Sequence, residues 1–226
     1  MVMEKSEAGD SGETARVDRL TALVRHLMLS AENERAALAR QLHDEFGACL
    51  TVASLDISVV NEKLKHSEPE LALRLQRALA KIKEAVAMKR EVIEGLRPGM
   101  LDSFGLATCL DDYAREFGGR TGVPVALDMI EEFDSMAPGR AIDIFRVAQE
   151  TLASVEKQGG TAGLKISLKA GSDAVCLLIE ADGADLTKGI DPLAMSAMQE
   201  RMASHGGSVV LRRLDGGAAI EARLPL

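Results

Sequence analysis

The sequence predicts a chain of two parts, an antiparallel helical hairpin followed by a half in which helices mix with strands, and three observations carry this. Apolar residues recur at intervals of three and four over residues 17–66, as Leu20, Leu23, Val24, Leu27, Ala31, Leu38, Leu42, Val52, Leu55 and Val59, and again at Leu71, Leu75, Leu79, Ile82, Val86 and Ile93. That is the period of an amphipathic helix. Glycine and proline then punctuate the chain at Gly95-Leu96-Arg97-Pro98-Gly99, a combination that stops a helix. Beyond it, apolar and polar residues alternate, as in Leu164-Lys165-Ile166-Ser167-Leu168, and Leu214-Asp215-Gly216-Gly217 is a hairpin turn signal, so strands join the helices.

Taken in order, residues 1–14 are rich in Gly, Ser and Glu, a composition that predicts disorder. The first helix follows over residues 17–66, a length of about 75 Å at about 1.5 Å per residue. A helix that long cannot bury its apolar seam alone. In Ser67-Glu68-Pro69-Glu70, Ser67 is the expected cap and Pro69 stands in the first turn of a second helix running to about residue 96. So short a turn makes an antiparallel hairpin over residues 15–98, and two hairpins make a four-helix bundle. The periodicity therefore predicts a homodimer, with residues 99–226 as a separate domain.

Composition excludes several classes of function. The chain has 226 residues, 46% of them hydrophobic and 27% charged, which is globular and long enough for two small domains. A net charge of -8 argues against nucleic acid as the partner, because phosphate binding wants a basic footprint. Cys49, Cys109 and Cys176 are widely spaced, with no metal-ligand pattern, and fit a reducing compartment. There is no run of 18 or more apolar residues to span a membrane. The polar first residues do not read as a signal peptide, so a cytoplasmic location is expected.

The chemistry concentrates in residues 34–47, Glu-Arg-Ala-Ala-Leu-Ala-Arg-Gln-Leu-His-Asp-Glu-Phe-Gly. Strong helix formers fill it. Leu38 and Leu42 share one face, and His43 is turned about 100° off that face, at the edge of the core and within reach of solvent. Asp44 and Glu45 follow at once. An imidazole beside carboxylates is more readily protonated, and its free nitrogen is a better nucleophile when a carboxylate holds the other N–H. This run closely resembles the phosphoacceptor segment of two-component sensor histidine kinases, in the subfamily paired with nitrate-response-type regulators. The resemblance implies that His43 accepts phosphate and hands it to an aspartate of a receiver domain, with Asp44 as the adjacent activating acid. Arg40, Glu45 and Gly47 are the expected partner-binding positions, Arg40 being suited to a phosphate or to an acidic receiver edge.

The resemblance continues through Leu101-Asp102-Ser103-Phe104-Gly105-Leu106 and Phe117-Gly118-Gly119-Arg120-Thr121-Gly122-Val123. In that family such a segment joins the bundle to an ATP-binding α/β sandwich through a helix and then a first strand. The implied elements are a strand at 124–129, a helix at 138–158, strands at 163–170 and 174–181, a helix at 192–205 and a hairpin at 207–225. The family's four nucleotide motifs, however, are altered. Glu150 is kept in Gln149-Glu150-Thr151-Leu152-Ala153-Ser154, but Ser154 stands where an asparagine ligates magnesium, a poorer ligand for a cation that demands octahedral geometry. In Ala181-Asp182-Gly183-Ala184-Asp185, Ala181 replaces the acid that reads adenine and Asp185 replaces a glycine, adding a repulsive charge near phosphates. The lid is reduced to Lys188-Gly189-Ile190-Asp191-Pro192-Leu193-Ala194-Met195, and a Gly-Thr pair becomes Gly217-Ala218. Met198-Gln199-Glu200-Arg201-Met202 and His205-Gly206-Gly207, which match packing segments, remain.

The expected fold is thus α plus α/β, a hairpin dimerising into a four-helix bundle followed by a degenerate histidine-kinase-type ATPase sandwich with no resident metal or cofactor. In relatives that dephosphorylate their regulator an amide sits four residues past the Asp, and here that position is Ala48. The expected function is histidine phosphotransfer between receiver aspartates through His43, without ATP. One alternative is an active sensor kinase that uses ATP and magnesium to phosphorylate His43. The other is a pseudokinase that sequesters a receiver or pairs with an active kinase. The receivers and pathway, the upstream signal and the cis or trans route of transfer are not written in the sequence.

Overall fold

The computed structural model describes residues 4–98, 101–129, 136–184 and 186–226. It divides into two compact units, Leu29–Gly99 and a second made of Met1–Met28 with Met100–Leu226.

The helical part begins with α1 (Glu4–Gln41), continues without a break through a π-helical turn (Leu42–Phe46) into α2 (Gly47–Leu64), and returns beside α2 as α3 (Pro69–Leu96). Two expectations change here. Helix α1 starts at Glu4, inside the segment 1–14 expected to be disordered; no proline interrupts that segment, so once a helix is nucleated downstream it extends at little further cost per residue. Ser67 is not the cap of α3. The N-cap is Glu68, with no side-chain cap bond and with Pro69 behind it. Proline disfavours helical geometry in the residue before it, and Glu68 accordingly has φ -137° and ψ 70°.

The buried stripe of α1 also differs from the one expected. Within the single chain the residues removed from water are Glu32, Ala36 and Ala39, whereas Leu38 is 46% exposed. Of these, Ala36 and Ala39 are small side chains three apart. The larger residues Leu38, Phe46, Val52, Leu55 and Val59 stay open to solvent.

The second unit is a five-stranded sheet in the order β1-β2-β3-β5-β4. Its strands are β1 (Val125–Met129), β2 (Gly163–Ala170), β3 (Ala174–Asp182), β4 (Ser208–Leu214) and β5 (Gly217–Pro225). Strands β1 and β2 are parallel and all other neighbours antiparallel. Helices α4 (Leu101–Thr121), α5 (Pro138–Gln158), α6 (Leu186–Gly189) and α7 (Pro192–Ala203) complete the unit. The α/β expectation holds, with strand and helix bounds within two residues of those read from sequence; only α6 is additional. Alternation in β3 sends Val175, Leu177, Ile179 and Ala181 into the core that also holds Ile144, Phe145, Ala148 and Leu152 of α5. Helix α4 is kinked at Gly105, whose φ of 79° is open chiefly to glycine.

Candidate functional site

His43 lies in the π turn Leu42–Phe46, and its side chain is exposed. A π turn inside an α-helix is rare, costs regular hydrogen bonding and often marks a working site. His43 follows Glu32, Ala36 and Ala39, at a spacing of four from the last, and it is open to solvent. Asp44, Glu45 and Arg40 are exposed around it. Glu45 accepts a hydrogen bond from Gln41 Nε2 at 3.3 Å, which ties it along the helix surface. Among the described residues the side chains of His43, Asp44 and Arg40 make no hydrogen bond or ion pair, and all three face water. An unbound imidazole on a rigid helix with free charged neighbours can attack an electrophile presented from solvent.

Gly47, one turn on, is half-buried against α3. A Cβ built on it would lie 2.8 Å from Lys89 Nζ, so glycine at this place lets the lysine lie across the helix. The structure thus brings Lys89 to the histidine's side of the hairpin, a residue the sequence reading did not single out. The only signal for it was a glycine four residues after the histidine in an otherwise helix-forming run.

The positions expected to handle nucleotide lie in the other unit. Glu150 is exposed on α5. The Ser154 hydroxyl donates to the Glu150 backbone carbonyl at 2.7 Å and so turns back onto its own helix. Ala181 is buried and pairs with Ala218 across β3 and β5. Past β3, the chain folds inward: Ala184, Leu186 and Ile190 are in the core, and a Cβ on Gly189 would meet Gln158 Oε1 at 2.7 Å. Asp185 lies outside the described residues. The Ser154 hydroxyl, the Ala181 methyl and the segment closed against α5 thus stand at the positions of the altered motifs. A cavity of about 580 Å³ does exist in this unit, lined by Thr121, Pro124, Val155, Glu156, Gly160 and Thr161, among others. It includes neither Glu150 nor Ser154. No helix among the described residues is long and apolar enough to cross a membrane.

Comparison with known proteins covers the segment that holds His43. A family model described as histidine kinase, HisKA_3, matches residues 34–101. The sensor histidine kinase MctS of Rhizobium johnstonii is 28% identical over 213 residues, covering 92% of this chain and 46% of that protein. The signal transduction histidine-protein kinase/phosphatase UhpB of Salmonella typhimurium is 25% identical, over 94% of this chain and 42% of its own length. The nitrate/nitrite sensor protein NarX of Escherichia coli is 24% identical, over 89% and 35%. The chain spans less than half the length of each of these three relatives. Through the segment that holds His43 it is similar to the histidine kinase family, and over most of its length to sensor histidine kinases.

Proposed function

We propose that this chain works in a two-component signalling system as a histidine-kinase-type protein in which His43 takes up a phosphoryl group and passes it to the aspartate of a receiver domain. One observation carries this: the exposed His43 sits in a π turn inside the segment that matches the histidine kinase family. In the first step the lone pair of a ring nitrogen forms a P–N bond while the P–O bond to the donor breaks, its electron pair leaving on the donor oxygen. Onward transfer reverses this at the same phosphorus, where a receiver carboxylate oxygen attacks and the P–N electrons return to the ring. Asp44 steadies the positive ring that forms between the steps, and Arg40 and Glu45 frame the surface on which the receiver docks. Such an exchange needs positioning more than covalent help, which a preformed helix face supplies.

Two phosphoryl donors come into question. The names of the relatives, sensor histidine kinases, favour ATP and hence autophosphorylation, and the comparisons support this donor more strongly than the other. The second donor is a phosphorylated receiver, which makes the chain a phosphotransfer protein. A specific observation favours it: the closed packing of Ala184, Leu186 and Ile190 beside the altered motif residues.

The test is incubation of the purified protein with Mg-ATP labelled on the terminal phosphate, and separately with a phosphorylated receiver. His43→Ala and Glu150→Ala are the controls, and acid-labile, alkali-stable label is scored. Label from ATP that is lost in both variants means kinase. Label from the receiver alone, lost in His43→Ala and kept in Glu150→Ala, means phosphotransfer. A wild type that binds a receiver tightly yet takes label from neither donor defeats the proposal and leaves a binding-only protein.

A further inference from the structure

We infer that Lys89 is a positioning residue for the phosphoryl group on His43, its ammonium laid across Gly47 on the histidine's side of the hairpin. The inference rests on the phosphoacceptor reading of His43. Gly47 is four residues after His43, and whether the intervening turn is counted at about 3.6 residues or with the wider π winding, the two positions project within about 40° of each other. Residues so spaced have Cβ atoms about 5–6 Å apart on the helix surface. Lys89 Nζ lies 2.8 Å from where a Gly47 Cβ would be, which puts it one turn from the imidazole.

Three features mark this lysine as more than a surface charge. It is half-buried, with an ammonium free to stay in water as lysine's long stem allows. Among the described residues it makes no ion pair, and unlike the equally unpaired Lys63, Lys83 and Lys157, which are exposed, it is half-buried. A glycine, disfavoured inside a helix, stands where a Cβ would crowd the ammonium. An ammonium with three donors, no anion and a flexible stem is suited to a phosphoryl dianion arriving one turn away. Its charge offsets that of the group on His43 and directs a phosphoryl oxygen toward α3, leaving the face opposite the P–N bond open to the incoming receiver.

The experiment uses phosphoramidate, a small phosphodonor that needs neither nucleotide nor receiver, and follows the rate of label appearing on His43 in the full chain. Lys89→Gln is expected to slow labelling about tenfold, the scale of one charge-assisted hydrogen bond, and Lys89→Arg to restore most of the rate. Gly47→Ala is expected to slow labelling as well while raising thermal stability, because its methyl displaces the ammonium yet favours the helix. A merely structural role moves stability and rate down together. If Lys89→Gln is folded and labels at the wild-type rate, the inference about Lys89 is wrong and the phosphoacceptor reading stands. If the wild type takes no more label than His43→Ala, that reading falls and takes the inference with it.

Discussion

At Asp143 one carboxylate ties two elements of the α/β unit together. It stands on α5 with its side chain 12% exposed, accepts from Arg201 of α7 at 2.8 Å, and has His205 Nε2 2.8 Å from its other oxygen. Truncating it leaves a guanidinium with little water and no acceptor, which costs about 2 kcal/mol for a partly buried group. Asp143→Ala is therefore expected to lower the urea midpoint with unchanged slope; a variant as stable as wild type rules out an anchoring role. Tyr113 sets a pH limit in the same unit. Burial holds its phenol above the ordinary value of 10.0, opposed by the neighbouring Arg120, and its ring packs at 5.2 Å on Phe145. A raised folded-state value means that the folded chain holds this proton more tightly than the unfolded one. Its contribution is complete below pH about 10 and is lost as pH climbs through and beyond that value. Thermal melts between pH 9 and 11 are expected to fall less steeply for Tyr113→Phe than for wild type, and parallel slopes would remove Tyr113 from the account.

Among the elements, the β3–β5 ladder depends on one close backbone approach. A Cβ on Gly217 would sit 2.1 Å from the Ala181 carbonyl oxygen, whereas on Gly216, in the turn with φ of 96°, it would meet nothing within 4 Å. The two neighbouring glycines are thus needed for different reasons. Gly217→Ala must part the strands and is expected to cost about 3 kcal/mol, against about 1 kcal/mol for Gly216→Ala, which only strains a turn. Equal losses in chemical denaturation would contradict that separation. The turn itself was legible, since Asp-Gly between alternating residues leaves few other readings, and so were β2, β3 and α5, whose periods are unbroken. The π turn was not, because Leu42–Phe46 has the composition of any helix and the winding is decided by what packs beside it. For the same reason the identities of His43 and Asp44 could be read in advance while Lys89 could not; it lies 46 residues on in the sequence and reaches the site only through the hairpin. The spacing of Leu38 and Leu42 predicts a buried seam, because large apolar residues are the usual guide. In the single chain the alanines do that work, and the pattern carried a second message, about a surface still uncovered.

For the whole molecule that uncovered surface bears on the assembly. Leu38, Phe46, Val52, Leu55 and Val59 are each 46–60% exposed along one continuous helix, and Leu71, Val86 and Val92 are exposed on α3. Apolar side chains left open on one hairpin are the kind of surface that a partner covers. This exposed apolar surface supports the expected homodimer, in which two hairpins close a four-helix bundle. If the dimer forms, stability follows mass action and the melting temperature rises with protein concentration. Placing charge in the stripe, as in Val52→Lys with Val59→Lys, is then expected to give monomers in sedimentation at micromolar concentration and to abolish the concentration dependence. The α/β unit has its own core, apart from these residues, so its melting transition should persist in the double variant. A wild-type chain that sediments as a monomer, with a melting temperature independent of concentration, would show that the stripe serves another partner, and the receiver proposed to dock near His43 would be the next one to try.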